Sequence, residues 1–387
     1  MNWEEVIAPR VREVPPSGIR KFFDLVSEVD DVISLGVGEP DFVTPWHIRE
    51  ASFYSLERGD TMYTSNYGLL ELRREITNYL KKNYNVSYDP QGETLVTVGV
   101  SEALDLALRA LVEQGDEVIL PEPSYVSYKP STILAGGKAV KVQTDRKNEF
   151  KLTAEALEEV ITEQSKILIL CYPNNPTGAI MERDELLEIA QVVEEHDLIV
   201  LADEIYAELT YGQEHTSFAS LPGMKERTIL FNGFSKAYAM TGWRIGYAAA
   251  PEPIIQAMMK IHQYTMLCAP IVSQKAALEA LRNGRREVDK MTDAYNQRRR
   301  VITKGLNDIG LDCFEPQGAF YAFPSIEATG LSAEEFAERL LQEEGVVVIP
   351  GGVFGESGQG FIRCSYASSL EDINEALNRM ERFIKKI

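Results

Sequence analysis

Lys236 and Arg244 lie close together and carry the most telling chemistry in the chain. Lys236 ends the run Asn232-Gly233-Phe234-Ser235-Lys236, and Arg244 sits in Met240-Thr241-Gly242-Trp243-Arg244-Ile245-Gly246-Tyr247. Small and apolar neighbours strip water from an ammonium, which lowers its pKa and frees a neutral amine to condense with a carbonyl. An aldehyde suits such an amine. The Arg244 guanidinium, a fixed and permanently charged fork, and the Ser235 hydroxyl suit a phosphate at the far end of the same molecule. A lysine anchor with a phosphate clamp points to pyridoxal phosphate. Taken singly, the two residues read as a solvated loop lysine and a surface arginine, so the run carries the argument.

Three further stretches fit such a ligand. Leu198-Ile199-Val200-Leu201-Ala202-Asp203-Glu204-Ile205-Tyr206 reads as a buried strand that delivers a carboxylate at its end and a phenol three residues later. An aspartate against a pyridine nitrogen keeps it protonated, so the ring accepts the electrons left when a substrate Cα loses a proton. Tyr206 is suited to hydrogen-bond the ring's phenolate oxygen. Asp203 also reads as a helix N-cap. Thr97-Val98-Gly99-Val100-Ser101-Glu102-Ala103 reads as strand, glycine turn and helix start, where free N–H groups and the helix dipole stabilise an anion; Ser101 is equally readable as a helix cap. Tyr172-Pro173-Asn174-Asn175-Pro176-Thr177-Gly178 is first of all a turn.

The elements that must position these residues follow from periodicity. Short apolar, β-branched runs at 94–98, 117–120, 139–142, 167–171, 198–201, 228–231 and 246–250 read as seven buried strands. Amphipathic stretches such as 102–113 and 183–195 lie between them, the alternation of an α/β sheet with helical crossovers, and in such sheets function collects at strand ends. After Pro251-Glu252-Pro253 the chain turns helical and charge-rich, notably at 285–309, with further short strands at 319–324 and 346–349. The expected division is an amino-terminal segment at 1–45, a large domain at 46–284 and a smaller one at 285–387.

Composition narrows the function classes. At roughly 150 residues per domain, 387 residues suit two or three domains, and 44% hydrophobic content is that of a globular protein. With Lys+Arg 39 and Asp+Glu 59 the net charge is −20, a field that repels nucleic acid and anionic membranes. Cys171, Cys268, Cys313 and Cys364 form no Cys-x-x-Cys, so neither zinc, nor any other metal, nor a disulfide framework is expected. Met1-Asn2-Trp3-Glu4-Glu5 is acidic where a secretory signal is basic, and no apolar run approaches the roughly 18 residues of a membrane span. The cytoplasm is the expected compartment.

Ser235-Lys236-Ala237-Tyr238 with Thr241-Gly242-Trp243-Arg244 resembles the lysine segment of the class I and II pyridoxal-phosphate aminotransferases of fold type I, in the branch of bacterial and archaeal aspartate or aromatic aminotransferases. The resemblance runs from Ser17-Gly18-Ile19-Arg20 to Arg363. It implies an α/β fold with a mixed, mostly parallel seven-stranded sheet in the large domain and a smaller α+β domain joined by the amino-terminal segment. It assigns Lys236, Asp203 and Tyr206 to catalysis. The cofactor phosphate falls to Gly99, Val100, Ser101, Ser235 and Arg244, and the ring face to Tyr125. Asn175, with Asn174 as the neighbour to exclude, reaches the phenolate oxygen and the substrate carboxylate. Arg363, in Phe361-Ile362-Arg363-Cys364-Ser365-Tyr366-Ala367, grips the substrate α-carboxylate, and Gly38, in Gly36-Val37-Gly38-Glu39-Pro40, offers a backbone contact. Tyr63 reaches the phosphate of a neighbouring subunit, which implies a homodimer with shared sites. Two positions depart from the pattern: Glu102 brings a negative charge to the phosphate turn, and Gly233 stands where some members have a serine.

The resemblance implies transfer of an amino group from an L-amino acid (an aspartate, aromatic or alanine-type donor) to 2-oxoglutarate, with ping-pong kinetics. The residue that recognises the side chain is not legible; Arg285, Arg286 and Arg298 are candidates. A carbon-sulfur β-lyase of the same fold uses the same core residues and stays open. A non-catalytic regulator of this fold is the remote alternative, and the presence of Lys236 argues against it.

Overall fold

The computed structural model describes residues 1–16, 18 and 31–387; Ser17, Ile19 and Arg20 of the amino-terminal motif lie outside them. Twelve strands are described: β1 (Ile33–Ser34), β2 (Thr94–Thr97), β3 (Glu117–Glu122), β4 (Lys138–Gln143), β5 (Ser165–Leu170), β6 (Ile199–Asp203), β7 (Thr228–Gly233), β8 (Gly246–Ala249), β9 (Tyr321–Ala322), β10 (Val346–Val347), β11 (Ile349–Pro350) and β12 (Ile362–Ser365). All seven expected strands of the large sheet form, their ends moved by at most two residues. Their order is β2-β8-β7-β6-β5-β3-β4. β8 runs antiparallel to β2 and β7, and the remaining pairings are parallel.

Strands covered on both faces read as continuous apolar runs, and alternate residues serve opposite layers. On β5, Ile167 and Ile169 pack with the helices Val100–Leu111 and Glu252–Thr265, while Leu168 and Leu170 pack with the helix Arg183–Glu195. Near the other edge, the helices Leu70–Tyr84 and Ile271–Asn283 cover Val96, Leu230 and Tyr247.

The carboxyl-terminal part builds a three-stranded antiparallel sheet, β11-β12-β9, beside the parallel pair β1-β10. The helix Arg285–Asp308 buries Val288, Met291, Tyr295, Ile302 and Leu306, one stripe at three- and four-residue spacing. It packs with the helix Leu370–Ile384 and β9.

Three expected boundaries change. The stretch 346–349 splits at Val348, because β10 pairs with β1 while β11 pairs with β12. The stretch 319–324 is strand only at β9; Ala319 has φ +56, and Pro324 has no N–H for a ladder. The helix expected at 102–113 begins at Val100, with Gly99 as its N-cap. Ser101 therefore lies inside the first turn, and its reading as a cap is corrected. Among the described residues, no helix is long and apolar enough to cross a membrane, and no cluster of His, Cys, Asp and Glu suits a metal ion.

Candidate active site

The carboxyl ends of β2, β3, β5, β6 and β7 converge on a cavity of about 460 Å³, within the range of small-molecule sites. Val100, Ser101, Tyr125, Asn175, Asp203, Tyr206, Ser235, Lys236, Arg244, Gly38 and Arg363 all line it. Gly99 lies just behind. Tyr63 lies outside, 82% exposed at the surface.

Lys236 leaves the turn after β7, and its Nζ donates to Gly38 O at 2.5 Å. The rings of Tyr206 and Phe320 each stand 5.6 Å from Nζ. Burial pulls its pKa down to about 8, helped by the charge of Arg363 and opposed by Glu39 and Asp203. Asp203 ends β6. Burial raises its carboxyl to about 6 against the hydrogen bonds that favour the anion: Oδ2 accepts from the Tyr128 hydroxyl at 2.8 Å and Oδ1 from the Ile205 N–H at 3.2 Å. No helix follows, so the N-cap reading of Asp203 gives way to a turn. The Tyr206 and Tyr321 hydroxyls meet at 2.8 Å, both buried.

The two asparagines separate by geometry. Asn174 accepts from the Thr177 N–H and hydroxyl and donates to Cys171 O, which closes its own turn. Asn175 Oδ1 instead accepts from Arg363 Nη1 at 2.9 Å. Arg363, on β12, is 2% exposed. Its Nη2 donates to Gly36 O at 2.6 Å, and its Nε is buried without a partner. Tyr321 and Phe354 face its guanidinium at 4.5 and 4.8 Å.

At the other end, Gly99 takes φ +81, and a Cβ there would stand 2.6 Å from Arg244 Nη2. A Cβ on Gly246 would stand 2.9 Å from Val100 N. Glycine thus lets Arg244 and the amino end of the helix share one cradle. The first intrahelical bonds come from the Glu102 and Ala103 N–H groups, which leaves those of Val100 and Ser101 for a ligand. Glu102 does not face this cradle: Oε2 accepts from the Val98 N–H at 2.5 Å, and Oε1 meets Nδ1 of the buried His262 at 2.7 Å. A serine at Gly233 would be crowded, since a Cβ would stand 3.0 Å from Gly246 Cα and 3.1 Å from Ile245 O.

The donor set fits a phosphate-bearing aldehyde: N–H groups, Ser101, Ser235 and Arg244 at one end, an amine in the middle, and a carboxylate beneath. Sequence reasoning missed Tyr128, Tyr321 and Gly36. Tyr128 opens the helix Tyr128–Ala135 and carried no local signal; Tyr321 read only as part of a strand. Arg285 pairs with Glu208 and Asp289, and Arg298 grips Asp41. Neither lines the cavity, nor does Arg286.

The family profile described as aminotransferase class I and II matches residues 30–380. The Bacillus subtilis protein YugH, whose name proposes an aminotransferase without giving a substrate, is 57% identical over 97% of each chain. The aspartate aminotransferase of Pyrococcus abyssi is 47% identical over 98% of each. The solved structure of the aromatic aminotransferase from Pyrococcus horikoshii superposes with a TM-score of 0.91 at 46% identity, covering 94% of this chain and 99% of that one.

Proposed function

This chain belongs to the class I and II aminotransferases, enzymes whose cofactor is pyridoxal 5'-phosphate, and from that premise we propose that it moves the amino group of an L-amino acid to 2-oxoglutarate. Aspartate, aromatic and alanine-type amino acids are the proposed donors, in keeping with relatives named for aspartate and for aromatic substrates. The observation that carries the reading is that Lys236 Nζ, Asp203, Asn175 and Arg363 face one cavity.

When bound, pyridoxal phosphate supplies an aldehyde for the amine and a ring that accepts the electron pair left at the substrate Cα. Asp203 would hold the ring nitrogen, Tyr206 and Asn175 its phenolate oxygen, and Tyr125 its face. The Gly99 turn, the Val100 and Ser101 N–H groups, the Ser235 hydroxyl and Arg244 hold the phosphate. Arg363 pairs with the substrate α-carboxylate beside Asn175 and the Gly38 backbone, which fixes the direction of the Cα–H bond. Lys236 Nζ, with its pKa brought down to about 8, then takes that proton as general base, and a base poised near the working pH is the efficient one. Water would supply the oxygen of the departing oxo acid and the amino group would stay with the bound cofactor until 2-oxoglutarate enters, so the kinetics are ping-pong.

We also propose a homodimer in which Tyr63, 82% exposed on one copy, reaches the phosphate of the other. The same reading groups residues 1–45 with 285–387, apart from 46–284, supported by the pairing of β1 with β10. It sets the enzyme in the cytoplasm, where four free cysteines are at home.

The test is the visible spectrum of purified, cofactor-loaded protein on addition of L-glutamate alone. Loss of the yellow colour with stoichiometric release of 2-oxoglutarate supports the reading. A protein that ignores every donor but frees ammonia and pyruvate from cysteine-like substrates is a lyase, and the proposal falls.

A further inference from the structure

Glu122 ends β3, immediately before the segment Pro123-Ser124-Tyr125 that brings Tyr125 to the cavity. It is 6% exposed, and nothing in the proposed chemistry uses it. Burial raises its carboxyl above the ordinary range, against the pull of the Glu356 N–H and the charges of Lys141 and Lys129. A carboxylate is costly to bury unless a donor meets it, so its partner deserves a reason.

The partner comes from the far end of the chain. Glu122 Oε2 accepts from the Glu356 N–H at 2.9 Å. Two residues on, the Ser124 N–H donates to Phe354 O at 2.9 Å. Lys141 Nζ on β4 pairs with Glu356 Oε1 at 3.0 Å. Between these contacts stands Gly355, with φ +128; a Cβ there would lie 2.5 Å from Cδ and Oε2 of Glu122. Only hydrogen fits, so the carboxylate and the glycine are matched. The other side of the same short segment reaches the site: the Phe354 ring, 3% exposed, backs the Arg363 guanidinium at 4.8 Å.

We propose that Glu122 is a positioning residue for the substrate α-carboxylate: its grip on the Glu356 N–H seats Phe354, and Phe354 holds the Arg363 guanidinium in register with the segment that carries Tyr125. The inference rests on the role of Arg363 in the proposed function. An acceptor at this position fixes the Glu356 N–H, and an arginine held in one orientation pairs with a carboxylate through both nitrogens, which is an effect on binding.

The experiment titrates cofactor-loaded enzyme with an α-methyl L-amino acid, which binds but has no Cα hydrogen, and reads the dissociation constant from the visible spectrum. KM and kcat for L-glutamate and the melting midpoint of cofactor-free protein accompany it. Glu122→Ala is expected to raise the dissociation constant and KM by roughly ten- to a hundredfold. Its kcat stays within about threefold and its midpoint within a few degrees. Glu122→Gln, whose amide oxygen still accepts the N–H, returns both constants to within about threefold of the parent. Gly355→Ala, which drives a methyl group into the carboxylate and strains the backbone at φ +128, is expected to weaken binding in the parent and to weaken it less in the E122A background, where only the backbone strain is left. It also serves should Glu122→Ala alone fail to fold. Equal dissociation constants in parent, E122A and G355A overturn the latch while leaving the proposed function standing. A parent enzyme that ignores glutamate removes both.

Discussion

Tyr128→Phe deletes the hydroxyl that donates to Asp203 Oδ2 at 2.8 Å. Burial is the leading reason the Asp203 carboxyl stands near 6, and Tyr128 is the strongest influence holding it down. A hydrogen bond to a charged group contributes about 1.5–3 kcal/mol, which at about 1.36 kcal/mol per pKa unit lifts Asp203 to about 7–8 in the variant. In the cofactor-free protein the hydroxyl favours the ionised carboxylate, so its loss acts on affinity through the protonated fraction of that state. A raised carboxyl pKa means that protons compete with the cofactor as pH falls. Linkage then weakens cofactor binding, relative to the parent, by roughly 5- to 50-fold at pH 6, about 2- to 10-fold at pH 7, and hardly at all by about pH 9. The assay is absorbance titration of cofactor-free protein with pyridoxal phosphate at those three pH values. A ratio of dissociation constants that stays the same from pH 6 to pH 9 would refute the argument, because it would locate the hydroxyl's effect outside Asp203.

The remaining predictions use other parts of the cavity. Lys236→Met abolishes turnover, yet it stabilises the cofactor-free protein: the lysine pKa is depressed to about 8 from 10.5, so the buried ammonium costs about 3 kcal/mol at pH 7. The unfolded chain keeps the proton that the folded one releases between those values, so parent stability rises across that window. The variant's advantage in thermal midpoint is therefore a few degrees at pH 7 and fades toward pH 10.5; an equal advantage at both counts against the cause. Gly99→Ala places a methyl 2.6 Å from Arg244 Nη2 at φ +81, and cofactor affinity in the same titration drops by at least about tenfold, the scale of one lost charged hydrogen bond. Arg363→Ala raises KM for every donor by on the order of a hundredfold, in line with truncating one partner of a buried charge pair, while the protein still takes up the cofactor. An unaltered KM for any good donor removes its assigned role.

The sequence by itself determined the strand and helix alternation, the order of chemistry-bearing residues at strand ends, and the family. These are local properties: a period of two or of 3.6, a glycine at a turn, a lysine beside a serine, all fixed within a few bonds of covalent chain. The long helix Arg285–Asp308 shows how far this reaches, since the helical, charge-rich character of 285–309 places both ends within one residue. Val100, Ser101, Asp203, Ser235 and Lys236 were legible because they stand at or just beyond strands whose apolar runs announce them, while Gly38, Tyr125, Asn175 and Arg363 were reached through the family resemblance. Tertiary packing decided what no local pattern encodes. Asn174 and Asn175 are chemically identical neighbours; the family resemblance points to the second, and the physical difference between them is the approach of Arg363 from 188 residues away. Glu102 looked misplaced beside a phosphate turn until the Val98 N–H and the buried His262, on a distant helix, engaged its two oxygens. Tyr128 and Tyr321 gain their importance from the oxygens they meet across the fold, Asp203 Oδ2 and the Tyr206 hydroxyl. Such partners are set by which faces the packed layers bring together, and the energy that brings them together is spread over the whole core rather than written in any one segment.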